Sequence, residues 1–175
     1  MQPTPFDCAQ VDAGLRDFFS KVSNGDRLAA DFLCRFMAYC HGVDDVIDES
    51  KWDAETLLAL LVQASEVYSH EFYRMHVGRL QTPILTATSV YADSIKWEKD
   101  PALWKREWAE VTRHAGNEVI LAVALICGGF AHLRDVSAPL YATCFVYHKD
   151  RYGTPTEPRT ERTATPLPEP LPNGS

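Results

Sequence analysis

The chain has 175 residues, 46 % of them hydrophobic, and a formal net charge of −7. That length supports one core and one domain, expected over residues 6–150. The acidic balance excludes a general affinity for nucleic-acid phosphates, which requires a basic face. The five cysteines, at positions 8, 34, 40, 127 and 144, include no CxxC pair and read as reduced, mostly buried thiols. Met1 to Asp7 carries no basic region followed by an apolar stretch, so no secretory leader is expected and a cytoplasmic setting follows.

Helical periodicity runs through most of the chain. Cys8 to Val22 places Val11, Leu15, Phe18 and Phe19 at helical spacing and stops at Ser23-Asn24-Gly25. A second helix follows, with Asn24 as the expected N-cap, Asp26 in the first turn, and a stripe of Leu28, Phe32, Phe36, Tyr39, Val43 and Ile47. Asp53 caps a third, expected to run to about His76 with Leu57, Leu61, Ala64, Tyr68, Phe72 and Met75 facing inward and Gly78 as its stop. Thr82-Pro83 reads as a cap with proline in the first turn, opening a helix with Ile84, Leu85, Thr88, Tyr91 and Ile95 inward. Asp100-Pro101 repeats that signal, and the helix over 101–128 presents Trp104, Trp108, Val111, Ala115, Val119, Ala122 and Ile126 on one side until Gly128-Gly129 ends or kinks it. The apolar run 119–131 is shorter than the ~20 residues of a membrane span, so a core helix is expected there and no transmembrane segment. A last helix covers about Ser137 to Lys149, and the Pro/Thr-rich segment 151–175 is expected to be a disordered tail. No period-two alternation occurs outside these segments. The fold class is all-α, a bundle of about six helices.

The chemistry-bearing run is Tyr39-Cys40-His41-Gly42-Val43-Asp44-Asp45-Val46-Ile47-Asp48-Glu49. It packs four carboxylates into two turns near a helix C-terminus, where like charges at i,i+3 and i,i+4 repel by roughly 0.2–0.5 kcal/mol per pair and the macrodipole is already negative. A cation is needed. Magnesium suits it, being a hard ion that binds through one or two carboxylates and keeps waters for phosphate oxygens. Asp44 and Asp48 stand one turn apart, with Asp45 three residues before Asp48, so the three can converge on shared ions. Phe32, Phe36, Tyr39, Tyr68 and Phe72 could wall an apolar ligand.

This string resembles the first aspartate-rich motif of the squalene/phytoene synthase family and, more loosely, the DDxxD of class I isoprenoid synthases. The resemblance covers one helix. It implies an isoprenoid-synthase-like bundle in which Asp44, Asp45, Asp48 and Glu49 hold Mg2+, and a transferase acting on a prenyl diphosphate. His41 stands where the family has a basic residue. Leu133-Arg134-Asp135-Val136 is a fragment of the second motif, without its later aspartate.

Further ligand-binding residues are expected at His41, Tyr39 and Phe36 beside the motif, and at His114, Asn117 and Glu118, which share a helix face at i, i+3 and i+4. An ordinary buried polar network accounts for the second trio equally. Two other functions stay open. One is an all-α, Mg-dependent nucleoside triphosphate pyrophosphohydrolase, with DDxxDE for its first carboxylate motif and only Glu107-x-x-Glu110 downstream. The other is a non-catalytic helical interaction protein, possibly a homodimer.

Overall fold

The computed structural model describes residues 13–48 and 53–152, with side chains placed over 14–48 and 53–142. Glu49, the start of the first helix and the segment from 153 onward therefore lie outside the described residues. Helix α1 is Ala13–Val22, α2 Arg27–Asp48, α3 Ala54–Ser69, α4 Glu71–Glu98 and α5 Leu103–Thr112; a 3-10 turn, Arg113–Gly116, leads into α6, Asn117–Tyr152. Among the described residues there is no strand. The fold is all-α.

The turn between α1 and α2 departs from expectation. Asn24 (φ 50°) and Gly25 (φ 81°) both adopt left-handed conformations and finish α1, with the Gly25 N–H donating to the Ser20 carbonyl. The cap of α2 is Asp26, not Asn24. Its Oδ1 accepts from the backbone N–H of Leu28 at 2.9 Å and of Ala29 at 3.1 Å. The Asn24 side chain instead donates to the Cys127 carbonyl of α6.

Helix α2 runs through the core, touching α1, α3, α4 and α6. Its stripe faces inward: Phe32, Leu33 and Ala29 are fully buried, and Phe36 nearly so. Around them pack Phe19 and Val22 of α1, Val67 of α3, Phe72, Leu80, Ile84 and Ala87 of α4, and Val119, Ile120, Val123, Ala124, Val136 and Leu140 of α6.

The third helix ends earlier than its periodicity suggests. His70 breaks it (φ −59°, ψ 137°) and caps α4, its Nδ1 accepting from the Phe72 N–H at 3.2 Å. In the neutral ring the proton then sits on Nε2, which donates to Asp31 Oδ2 at 3.0 Å. Asp31 also accepts from Arg35, and Arg35 reaches Glu66 of α3 at 3.2 Å, so one polar chain ties α2, α3 and the start of α4. Beyond the cap, α4 passes through Gly78 and Pro83 without the expected stop and restart; its non-helical dihedrals fall at His76. The inward stripe of α4 is Leu80, Ile84, Ala87 and Ser94, at spacings of four, three and seven, which leaves Leu85 61 % exposed.

Two further faces are reversed. On α3 only Val67 is fully buried, while Leu57, Leu58, Leu61, Val62 and Tyr68 are exposed, as is Met75 on α4. On α5, Ala109 is the buried contact and Leu103, Trp104, Trp108 and Val111 point outward. A small residue against α4 lets α5 approach closely, and its bulky residues are carried to the opposite side. The Trp104 ring meets Trp97 at 6.3 Å and receives the Lys105 ammonium at 5.7 Å.

By length and composition alone, the stretch Leu103–Ala142 is apolar enough to cross a membrane. It is interrupted by the 3-10 turn and, within α6, by Gly129 (φ 73°, ψ −170°). Within the apolar run Val119, Ile120, Val123 and Ala124 are buried, and it turns outward at Leu125 and Phe130. Past the kink, His132 Nε2 meets the Val22 carbonyl at 2.9 Å, and Val136 and Leu140 return to the core. Gly129 holds a backbone region essentially closed to other residues. Gly129→Ala should therefore cost about 1–3 kcal/mol, read as a lower midpoint in urea unfolding with an unchanged m-value; an unaltered midpoint would show that the kink is not required.

Candidate functional site

The carboxylates of α2 find their cation within the chain. Arg113, first residue of the 3-10 turn, places its Nη2 3.1 Å from Asp44 Oδ1 and 3.1 and 3.0 Å from the two oxygens of Asp48. Its Nη1 donates to Glu98, the last residue of α4. The fork of the guanidinium suits this, since its planar donors can serve carboxylates on two helices at once. Tyr91, two turns before Glu98 on α4, donates its hydroxyl to Asp44 Oδ1 at 2.5 Å. Residues 44, 48, 91, 98 and 113 thus form one cluster where α2, α4 and the end of α5 meet.

Its electrostatics follow from this packing. Partial burial pulls the Arg113 guanidinium down, but the Asp44 hydrogen bond and the charges of Glu98, Asp44 and Asp48 outweigh it and hold the group above its usual value. Burial, then the bond to Asp44 and the Asp44 charge, raise the Tyr91 hydroxyl well above its ordinary value. One turn before Asp44, burial and the Asp44 charge push the Cys40 thiol up to about 12, so it stays protonated at neutral pH.

The structure separates the remaining expected site residues. Asp45 is exposed, as is His41, while Asp44 is half-buried. Glu49 lies outside the described residues. Phe36 is buried in the core, stacked on Phe32 at 6.1 Å, and Phe32 in turn meets Phe72 at 5.6 Å and Tyr73 at 6.3 Å. These rings fill one another's space. Tyr39 is half-buried against the same cluster, and burial raises its hydroxyl. His114 falls in the 3-10 turn with non-helical dihedrals (φ −85°, ψ 15°), so the helical register assumed for His114, Asn117 and Glu118 does not hold; Asn117 is buried and Glu118 exposed.

Hard oxygen donors of this kind suit Mg2+ chemically. As folded, however, Asp44 Oδ1 is taken by Tyr91 and Arg113 and both Asp48 oxygens face Arg113. Among the described residues no three Asp, Glu, His or Cys side chains converge on one ion position. The arrangement fits a guanidinium and does not fit a bare metal ion.

Arg113, Tyr91 and Glu98 are not among the site residues expected from the sequence, where Tyr91 figures only as an inward residue of its helix. A faint signal existed for two of them, since Tyr91 and Glu98 are seven residues apart and share a helix face. The Tyr91 bond gives a pH test. Its folded pKa is raised, so the stability it contributes is complete below the ordinary tyrosine value of 10.0 and is lost as pH rises through the folded value. Stability measured by denaturant unfolding should fall above about pH 10, and Tyr91→Phe should flatten that fall; an unchanged alkaline limb would show that the bond does not carry it.

In comparisons with known proteins, no family model matches the chain, and no curated protein or solved structure matches it significantly.

Proposed function

We propose that this chain is a helix-pairing module that works by presenting the outward face of α3 to another apolar helix. The observation that carries the reading is the composition and exposure of that face. Leu58 is 61 % and Leu61 63 % exposed, Tyr68 41 %, with Leu57 and Val62 beside them. Leu58, Leu61, Ser65 and Tyr68 follow one another at spacings of three, four and three, the pattern by which helices pack knobs into holes. Apolar helix faces are normally enclosed, whereas among the described residues the elements packed extensively on α3 are α2 and α4. The Trp104, Trp108 and Val111 stripe of α5 is a second surface of the same character, in residue types enriched at interfaces.

The test is native binding of the dye ANS at high dilution, in protein that unfolds cooperatively. Leu58→Glu/Leu61→Glu should remove most of the α3 contribution while changing stability by no more than about 0.5 kcal/mol, as befits surface positions. Absence of dye binding by the native chain, or collapse of the fold in the double variant, would overturn the reading.

A second reading, Mg-dependent binding of a prenyl diphosphate by an isoprenoid-synthase-like fold, is favoured by one observation. Asp44, Asp48 and Glu98 bring three carboxylates, hard oxygen donors of the kind Mg2+ takes, to one place between α2 and α4. If such a ligand binds, Mg2+ with farnesyl diphosphate raises the melting temperature, by about 2.7 kcal/mol of stabilisation at a hundredfold excess over Kd, and Asp44→Asn/Asp48→Asn abolishes the effect. No shift with Mg2+ and the diphosphate together would end this reading.

A further inference from the structure

We propose that the aromatic seam between the end of α4 and α5 is the docking site for this chain's own Pro-rich segment, Pro166–Pro172, bound as a polyproline II strand across Trp104 and Trp108. The inference concerns α5 and stands whatever partner α3 meets.

The seam itself is the first argument. Trp97 of α4 and Trp104 of α5 meet at 6.3 Å with their planes tilted by 59°, and Trp108 follows one turn along α5. Trp104 and Trp108 are each more than half exposed, and Val111 extends the row. Aromatic rings set at an angle are the surface that polyproline II segments use, because proline rings lie flat on them and the strand is largely ordered before it binds. The outward face of α3 presents leucines and Tyr68 but no indole.

Hydrogen bonding is the second, and it separates this occupant from an apolar helix. An indole N–H donates and accepts nothing, and among the described residues no acceptor meets that of Trp104 or Trp108. A docked helix has its carbonyls committed to its own backbone. Residues 166–172 read Pro-Leu-Pro-Glu-Pro-Leu-Pro. Each keeps a free carbonyl, since polyproline II has no internal hydrogen bonds, and the prolines have no N–H to leave unpaired. Donor-only rings thus meet an acceptor-rich strand. At three residues per turn, Leu167 and Pro170 line one edge and Pro168 and Leu171 the next, while Glu169, the segment's single charge, falls on the third edge and stays in water.

Reach is the third. Helix α6 starts one 3-10 turn after α5. Its 36 residues span at most about 54 Å, and the Gly129 kink shortens that distance. Residues 153–165 add about 40 Å as extended polyproline II and residues 166–172 about 22 Å more, so the segment can return to α5. Tethering holds it there at an effective concentration on the order of mM, an advantage no separate partner shares.

Acrylamide quenching of tryptophan fluorescence in the full chain, read over a range of protein concentrations, tests the docking. Leu167→Asp/Leu171→Asp, outside the helical domain, should increase quenching and shift the emission to the red at every concentration, with helical circular dichroism unchanged. In a chain carrying Trp104→Ala/Trp108→Ala, surface positions whose loss leaves the fold intact, the same tail substitutions should change neither reading. Identical quenching and emission with and without the tail substitutions overturns the inference. So does a difference that survives Trp104→Ala/Trp108→Ala, which puts the segment elsewhere, or one that disappears on dilution, which puts it on another copy.

Discussion

The contact of Arg113 with Asp44, Asp48 and Glu98 decides how the second half of this fold is attached to the first. Helix α5 buries one side chain, Ala109, and so brings almost no hydrophobic stabilisation of its own. What holds its ends is polar. At its start, Asp100 accepts from the Ala102 N–H and from Lys105, and Arg106 donates to the carbonyls of Asp100 and Pro101. At its end, Arg113 is fixed to α2 and α4. A hydrogen bond to a charged group contributes about 1.5–3 kcal/mol, similar to burying one aliphatic side chain. Arg113 makes several, only partly exposed to water, and so substitutes for the core residues that α5 lacks.

The same contact resolves the electrostatic difficulty posed by four carboxylates at a helix end. Repulsion between neighbours is a fraction of a kcal/mol per pair, which one bridging guanidinium outweighs. The demand for a cation was legible in the sequence, but its identity was not. Asp44 and Arg113 are 69 residues apart and Asp48 and Arg113 are 65 apart, and no periodicity within one helix points across such a distance. Local signals fared better. The Asp53 cap is present, its Oδ1 accepting from the Thr56 N–H at 2.9 Å, and Gly129 kinks α6 where Gly-Gly stands. These two act within a turn of themselves and are legible for that reason, whereas the Asn24 cap, the Gly78 stop and the Thr82-Pro83 start are overridden by their neighbours.

Faces were harder to read than elements. Leu57, Leu61, Ala64 and Tyr68 satisfy helical spacing as an inward stripe, but so does the set beside them. In a helix with apolar residues on several sides the pattern fixes that a helix forms and not which side is covered. The side that is covered is the one set against α2, where the side-chain ends of Leu60 and Gln63 lie over Gly42, each 2.9 Å from where a Cβ would stand. That contact sets Leu60, Gln63 and Val67 inward and Leu58 and Leu61 to the outside. The early end of α3 has a similar origin, because His70 is drawn to Asp31 and its other ring nitrogen caps the next helix.

Gly42 and the Asp44–Asp48 pair lie on different sides of α2, since two and six residues at 100° each place Asp44 and Asp48 about 160° and 120° around the helix from Gly42. The C-terminal half of α2 is therefore gripped from both sides, by Arg113 on one and by α3 on the other. The two grips differ in strength. Arg113 is held by three carboxylates, whereas α3 is a sixteen-residue helix with one fully buried side chain, a length at which isolated helices are marginal in water. Any partner that covers Leu58 and Leu61 adds burial where α3 has least, and by mass action stabilises the docked helix in proportion to its occupancy. Association at the outward face and order at the α2–α3 contact are consequently one linked equilibrium. The acidic cluster on the far side of α2, held by its own counter-ion, need not change for that equilibrium to shift.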